Sequence, residues 1–316
     1  MTLCIAVHCA DGSVIALSDR MLSRGDDARH LPPIAKRYQL HEGVHTLWAG
    51  GNSLSNGIIN AAGTMLGRKF SPEQVTGHRA AQALREAYEA ARIVEGASQL
   101  LPTYLLSGLD EYHAKRPTLP RATVSEIEHR MVRWHFPEAE DPAFIVFGVD
   151  PSGSHIFKVF REYPYRGEPR TRVDWHDGVG FASIGGNTEP ADQLLFDRQA
   201  WHQPFGVALM LAYIAAQYCV SRDDGIGPPE DILVVGPGQD ECFGVDNWGH
   251  FHLKRLYDAT ITGGHGGLET ALQVAGQFKR EPGLGIVMPP GPAGTPAPAR
   301  PEGSTPDSSP PPPSQG

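Results

Sequence analysis

Two apolar runs separated by a short turn open the chain. Apolar residues fill positions 3–7, and a second run covers positions 14–17. Ala10-Asp11-Gly12 lies between the runs and has residue types that favour a tight turn. Near-continuous apolar runs of this length are typical of strands buried on both faces. The pattern therefore predicts a β-hairpin that returns Asp19 to the start of the chain.

A second hairpin is predicted over residues 36–49. Lys36 opens its first strand, His41-Glu42-Gly43 forms the turn, and the second strand ends at Gly50-Gly51. A further strand is predicted at residues 232–235, where the sequence is Ile-Leu-Val-Val. The alternation in His250-Phe251-His252-Leu253 also indicates a strand and gives only a weak hint of a metal site.

Helices are predicted in four places. One covers residues 52–66, and a second begins at Ser71-Pro72-Glu73, where a cap residue, a proline and an acid precede about twenty helical residues. A third covers residues 122–134. Residues 205–216 are apolar all round the helix but too few to span a bilayer, which predicts a helix buried against a sheet.

Composition excludes several classes of function. The formal charge of −9, without a Lys/Arg stripe, disfavours a nucleic-acid partner. Cys4, Cys9, Cys219 and Cys242 lack the spacing of a metal site, and no dinucleotide or phosphate-loop fingerprint is present, so we expect neither metal nor cofactor. The start of the chain lacks the basic region of a signal peptide, and we expect a cytoplasmic, non-membrane protein.

Thr2 is a candidate nucleophile. Methionine aminopeptidase removes Met1 when the next residue is small, which would leave a threonine whose hydroxyl and α-amine share one residue. The unperturbed amine pKa of about 7.7–8.0 would leave an appreciable fraction neutral near pH 7, able to act as a base. The alternative is an ordinary trimmed terminus without catalytic meaning.

Four sequence features occur in a particular order along the chain. They are Thr2, Asp19 in a Ser-Asp-Arg context, Lys36 in a Lys-x-x-x-Leu strand start, and Ala49-Gly50-Gly51 before a helix. In this order they resemble the proteasome β subunits and their bacterial relatives among the N-terminal-nucleophile hydrolases. Residues 144–153 resemble that family's strand and turn, and residues 181–186 its glycine-rich strand end.

The resemblance implies an α+β fold, a four-layer αββα sandwich of two stacked antiparallel sheets flanked by helices. We expect one such domain over residues 1–282, with a helical insertion at 98–140. The Pro/Gly/Ser-rich segment 283–316 is expected to be disordered, because it cannot bury enough apolar surface to offset its ordering entropy. A peptide or protein substrate and a homo-oligomer are implied by the resemblance alone.

The resemblance also implies a role for each site residue. Thr2 would attack a carbonyl and form an acyl intermediate, Lys36 would favour the alkoxide, and Asp19 would keep Lys36 charged. Gly50, with Gly51, would offer backbone N–H groups to the oxyanion. Asp223, or Asp224 as nearly as good a choice, would support the α-amine. Each residue also has a non-catalytic interpretation. Lys36 and Asp19 would then be exposed residues at strand ends, Gly50 and Gly51 an ordinary turn, and Asp223 part of a solvated loop.

Two departures keep other functions open. The interval from Thr2 to Asp19 is one residue longer than is commonest in proteasomes, and Gly186 stands where the family has a serine, with Asn187 and Thr188 as the nearest polar substitutes. These departures favour a catalytically silent protein that only assembles or binds a partner. A small-molecule amidase on the same fold is the third hypothesis, because fold alone does not fix the substrate.

Overall fold

Two five-stranded antiparallel sheets form the centre of the structure. The computed structural model describes residues 2–20, 35–138, 140–164, 168–223, 225–238, 241–263, 265–281 and 285–287. The first sheet has the order β10-β9-β2-β1-β8, and its strands are β1 (Leu3–His8), β2 (Val14–Asp19), β8 (Phe181–Gly185), β9 (Pro229–Val235) and β10 (Cys242–Gly244). The second has the order β3-β4-β5-β6-β7, and its strands are β3 (Arg37–His41), β4 (Val44–Ala49), β5 (Ala143–Asp150), β6 (Gly153–Glu162) and β7 (Arg170–Trp175).

Helices cover both outer faces of the sheet pair. The second sheet is covered by α1 (Asn52–Lys69) and α2 (Gly77–Leu100), and the first by α6 (Phe205–Val220). The remaining helices are α3 (Leu109–Lys115), α4 (Arg121–Arg133), α5 (Glu189–Asp197), α7 (Asn247–Thr262) and α8 (His265–Ala275). This arrangement confirms the predicted four-layer αββα fold.

The period-two alternation of β1 explains the layering. Leu3, Ile5 and Val7 pack against the apolar helix α6, whereas Cys4 and Ala6 face the second sheet. Because both faces are covered, every residue of β1 and β2 is buried, as the continuous apolar runs predict. Within the described residues, no helix combines the length and apolarity that a bilayer span requires.

Two local predictions were wrong. Ser71-Pro72-Glu73 begins only the single 3₁₀ turn Pro72–Gln74, and the long helix starts at Gly77, where the Thr76 side chain accepts the Arg79 N–H. The alternating segment 250–253 is not a strand but part of α7, whose N-cap Asp246 accepts the Gly249 N–H at 2.8 Å. A capped helix therefore overrides a four-residue alternation.

The predicted insertion is helical and has its own small core. Within residues 98–140, α3 and α4 pack on the end of α2 through an apolar cluster that includes Leu101, Tyr112 and Ile127. At the other predicted boundary, Gly285–Val287 forms β12 and pairs with β11 (Lys279–Glu281), inside the segment predicted to be disordered. Residues 288–316 lie outside the described residues, so the domain division stays a prediction.

A partly buried polar cluster links the sheets at the His8 end of β1. Asp177 accepts hydrogen bonds from two histidine rings, His155 Nδ1 at 2.6 Å and His8 Nε2 at 3.3 Å. His155 Nε2 also lies 3.3 Å from Asp150 Oδ1. The Asp177 hydrogen bond, aided by Asp150, raises the pKa of His155 despite burial. Protonated His155 therefore joins two carboxylates.

We expect this cluster to give a pH-dependent stability. Because the folded protein holds the His155 proton more tightly than the unfolded chain, the stabilisation is complete below the unfolded pKa of about 6.5 and is lost as the pH rises through the folded pKa. Thermal unfolding should show wild type gaining most over His155→Gln near pH 6, with the gap closing towards alkaline pH. The exposed His129→Gln is the control; an unchanging gap would contradict this account.

Gly206 should be irreplaceable for a steric reason. A Cβ at this position of α6 would lie 1.9 Å from the Ala275 carbonyl oxygen, at the end of α8. Gly206→Ala should therefore lower the free energy of unfolding by about 1–3 kcal/mol or more. Gly57 in α1 is the matched control, because no atom lies within 4 Å of its added Cβ. Denaturant titration should show Gly57→Ala neutral or stabilised by up to about 1 kcal/mol, and equal effects at both sites would refute the steric explanation.

Candidate active site

Three residues predicted from the sequence meet at the start of β1. Lys36 Nζ lies 2.8 Å from Thr2 Oγ1 and 2.7 Å from Asp19 Oδ1. The Lys36 side chain is fully buried and that of Asp19 is 1 % exposed, whereas Thr2 is partly exposed. The structure thus brings together an accessible hydroxyl, a buried ammonium and a buried carboxylate.

Strand pairing explains how Asp19 reaches this position. Cys4 of β1 pairs with Ser18 of β2, so Asp19 comes to lie beside Leu3, whose N–H donates to Asp19 Oδ1 at 3.0 Å. The Gly227 N–H donates to Asp19 Oδ2 at 3.3 Å. With Lys36, the carboxylate has three donors, which compensates for the cost of burying its charge.

Lys36 is carried to the site by the start of β3. Its carbonyl oxygen accepts the Trp48 N–H at 3.2 Å, which joins it to the second sheet. Its side chain then crosses to Thr2 and Asp19 on the first sheet. The site therefore forms only when the two sheets are stacked.

Glycines let β8 approach Thr2 closely. The Gly186 N–H donates to the Thr2 carbonyl oxygen at 2.7 Å. Gly185 has φ +112°, and a Cβ there would lie 1.8 Å from the same oxygen. A side chain at position 185 would collide with the Thr2 carbonyl oxygen. Only glycine therefore lets this end of β8 lie against the backbone of Thr2.

Of the glycine pair after β4, Gly50 is the better candidate for oxyanion contact. The Gly51 N–H is already bonded to the Glu140 carbonyl oxygen at 3.1 Å. Gly50 has φ +105°, and a Cβ there would lie 2.7 Å from the Asp141 carbonyl oxygen. The loop conformation thus requires glycine at position 50.

Asp223 is not joined to the other candidates. Its carboxylate accepts the Gly225 N–H at 2.9 Å, and within the described residues no hydrogen bond or ion pair connects it to Thr2. Asp224 lies outside the described residues. Thr188, a substitute for the missing serine at Gly186, directs its hydroxyl to Asp192 at 3.5 Å. Support for a Thr2 amine therefore does not come from these described side chains, and the role assigned to Asp223 stays a prediction without a contact behind it.

The sequence did not predict two residues that lie at the candidate site, Gly227 and Asp231. Gly227 contacts Asp19 through its backbone N–H, and a glycine has no side chain that would indicate such a role. Only Asp223 was considered as a site residue in that loop. Asp231, on β9 opposite Ser18, is 5 % exposed and forms an ion pair with Arg37 at 3.2 Å. A correct pairing of β2 with β9 is the signal that would have located both.

The Cys4 and Cys242 thiols are unsuited to nucleophilic attack. Burial raises the pKa of the Cys4 thiol, which donates to the Trp48 carbonyl oxygen at 3.3 Å. Cys242 Sγ lies 3.6 Å from His45 Nε2, but burial raises the pKa of this thiol and lowers that of His45 to about 4. Both members of that pair are therefore neutral near pH 7, and neither cysteine is a ready thiolate. Across the described ranges, no three His, Cys, Asp or Glu side chains are arranged to hold a metal ion.

Comparisons with known proteins identify the fold but no family membership. No protein-family model matches the sequence, and no curated protein matches it either. Among solved structures, the chain is similar to an Anbu (Gly-1) mutant from Hyphomicrobium sp. strain MC1, at 15 % identity and TM-score 0.53, covering 86 % of this chain and 97 % of that one. It is similar to Anbu (ancestral beta-subunit) from Yersinia bercovieri, at 14 % and 0.52, covering 83 % and 94 %. It is also similar to the helical assembly of the Anbu complex from Pseudomonas aeruginosa, at 17 % and 0.53, covering 85 % and 96 %.

These similarities correct the family expectation. The neighbours are Anbu proteins, which are proteasome-like but distinct from the proteasome β subunits, so the predicted family was wrong. At 14–17 % identity the comparisons establish the proteasome-like N-terminal-nucleophile fold and nothing about activity.

Removal of one charge from the buried ion pair should destabilise the protein more than removal of both charges. Lys36→Met leaves Asp19 charged and buried, and should cost about 3–5 kcal/mol of unfolding free energy. The double variant Lys36→Met/Asp19→Asn should recover much of that loss, because neither charge remains. Chemical denaturation of the four-member cycle measures the coupling directly.

An exposed ion pair serves as control for that cycle. Lys254 and Asp258 are 66 % and 54 % exposed and lie 2.8 Å apart. Lys254→Met should change the unfolding free energy by less than about 1 kcal/mol. A Lys36→Met cost no larger than this one would contradict the buried pair.

Proposed function

We propose that the chain is an amide-bond hydrolase of the threonine type, which acts through an acyl-Thr2 intermediate after removal of Met1. The observation that carries this proposal is the 2.8 Å contact between Lys36 Nζ and Thr2 Oγ1, backed by the 2.7 Å Lys36–Asp19 ion pair. A buried ammonium beside a hydroxyl is the arrangement that stabilises an alkoxide, because its charge is little screened by water.

The proposed reaction begins when Thr2 Oγ1 attacks the substrate carbonyl carbon. The free α-amine of Thr2 takes the hydroxyl proton, directly or through a water, while the carbonyl electron pair moves to oxygen. Collapse of this tetrahedral intermediate breaks the C–N bond, and the protonated α-amine gives its proton to the leaving nitrogen. Water then attacks the acyl ester by the same proton path and frees the acid and Thr2.

Gly50 is the proposed oxyanion donor. Since Gly51 is bonded to Glu140, Gly50 is the member of the pair that we assign to the substrate oxygen. The remaining proposed roles are supported by contacts: Asp19 pairs with Lys36 at 2.7 Å, and the Lys36 ammonium, 2.8 Å from Thr2 Oγ1, lowers the energy of the alkoxide. Asp223 has no described contact with Thr2 and takes no step in this mechanism.

Peptides or proteins are the proposed substrates, and a homo-oligomer in the cytoplasm is the proposed working form. Support comes from the proteasome-like fold and from one structural neighbour, which is a helical assembly of the Anbu complex. The catalytic fold is proposed to occupy residues 1–282, with 98–140 as an insertion and the remainder as a tail.

A catalytically silent assembly protein is the second candidate. Two observations favour it: Gly186 offers no hydroxyl near Thr2, and Asp223 makes its described side-chain hydrogen bond within its own loop. A silent protein would not need Met1 removed. A small-molecule amidase would share the nucleophile and differ only in substrate.

Mass spectrometry and a threonine-directed electrophile test the proposal. Intact mass should show the loss of Met1, and a peptide epoxyketone should add once to wild type, at Thr2, because it requires both the hydroxyl and the free amine. Thr2→Ala should remain unlabelled and should lose at least about 1000-fold of any hydrolytic rate. Thr2→Ser, which keeps a hydroxyl, should retain labelling.

The controls separate the three candidates. Retained Met1, or equal labelling of wild type and Thr2→Ala, would reject the threonine mechanism and favour the silent protein. Fluorogenic peptides compared with small amides distinguish the peptidase from the amidase. Lys36→Arg keeps the charge but changes its shape, and should lower the rate without preventing Met1 removal.

A further inference from the structure

Asp231 lies beside the candidate site without touching Thr2. It is on β9, directly opposite Ser18 of β2, and is 5 % exposed. Two guanidinium groups face it: Arg37 Nε at 3.2 Å from Oδ2 and Arg20 Nη2 at 4.0 Å from Oδ1. Nothing in the proposed chemistry uses this carboxylate.

Each of the two arginines directly follows a charged residue of the candidate site. Arg20 follows Asp19, and Arg37 follows Lys36. Two dipeptides therefore each give their first residue to the ion pair beneath Thr2 and their second to Asp231. The Asp231 carboxylate thus lies within ion-pair distance of the arginines that directly follow both charged site residues.

The Asp231–Arg37 contact also crosses between the sheets. Arg37 is the first residue of β3 in the second sheet, whereas Asp231 belongs to the first. β3 is an edge strand, and Tyr38 and Gln39 within it are exposed. The Trp48 N–H joins the Lys36 carbonyl oxygen to β4 within the second sheet, and the Asp231–Arg37 ion pair adds a contact from this edge strand to the first sheet, where Thr2 lies.

Lysine needs such an anchor. Its side chain has four rotatable bonds, and an error of 1 Å in a reacting group can cost about 100-fold in rate. The Lys36 ammonium reaches Thr2 Oγ1 at 2.8 Å only if its backbone is fixed relative to β1. We infer that Asp231 is a positioning residue, which holds Arg37 and Arg20 and thereby sets the contact between Lys36 and Thr2; this inference rests on the proposed threonine hydrolase.

The test compares two equally buried aspartates by covalent labelling. Asp231→Asn removes the positioning charge, and Asp150→Asn is the matched control, since Asp150 is also 5 % exposed but lies in the His155 cluster at the other end of β1. The time course of epoxyketone addition, followed by intact mass at several inhibitor concentrations, gives a maximal rate and a half-saturating concentration for each variant.

We expect Asp231→Asn to lower the maximal labelling rate by roughly 10- to 100-fold, with the half-saturating concentration little changed. Asp231→Glu should restore part of the rate. Asp150→Asn should label like wild type even if its thermal midpoint falls. Should Asp231→Asn fail to fold, Arg37→Gln removes the same contact from its more exposed side, and the same loss of rate is expected.

The outcomes separate this inference from the function on which it rests. Wild-type labelling with an unaffected Asp231→Asn, or with equal losses in Asp231→Asn and Asp150→Asn, overturns the positioning role and leaves the hydrolase standing. If wild type is not labelled, the hydrolase fails, and a crystal structure of Asp231→Asn decides the inference instead. A Lys36–Thr2 contact lengthened beyond hydrogen-bond range supports it, and a contact kept at 2.8 Å overturns it.

Discussion

The candidate site depends on one buried ion pair, between Lys36 and Asp19. Lys36 and Asp19 come from different sheets, and together they are almost without exposure to water. Their charges are tolerable only because each satisfies the other and the carboxylate also accepts the N–H groups of Leu3 and Gly227. Through these contacts the pair connects the start of β1, the end of β2, the loop before β9 and the residue that precedes β3.

The rest of the site is arranged around Thr2 by backbone rather than by side chains. Gly185 and Gly186 let β8 lie against the Thr2 carbonyl, and Gly50 adopts a φ that other residues rarely do. These positions have no side chains, and the close backbone approach that they allow determines where Thr2 lies. The backbone positions Thr2, and the ion pair places the Lys36 ammonium beside the Thr2 hydroxyl.

The sequence predicted the parts of this structure that depend on local pattern. The buried runs in β1 and β2 and the apolar helix α6 follow directly from hydrophobic spacing, because covered strands and helices have no polar face. Thr2, Asp19 and Lys36 were found through their order along the chain. Other contacts were missed. Those of Gly227 and Asp231 depend on the pairing of β2 with β9, which local pattern does not fix, and the Asp223 carboxylate accepts the Gly225 N–H of its own loop. The family was named wrongly, because the structural neighbours are Anbu proteins rather than proteasome β subunits. The four-residue alternation at 250–253 was too short to outweigh the helix cap at Asp246.

The central claim is that the buried Lys36–Asp19 pair makes Thr2 Oγ1 a nucleophile. The most direct measurement is a crystal structure of the protein soaked with a peptide boronate. We predict a tetrahedral boron bonded to Thr2 Oγ1, a free Thr2 amine, and Lys36 Nζ still within hydrogen-bond distance of that oxygen. A boronate bound elsewhere, or Met1 still attached to an unmodified Thr2, would contradict the claim and leave the ion pair as an element of architecture alone.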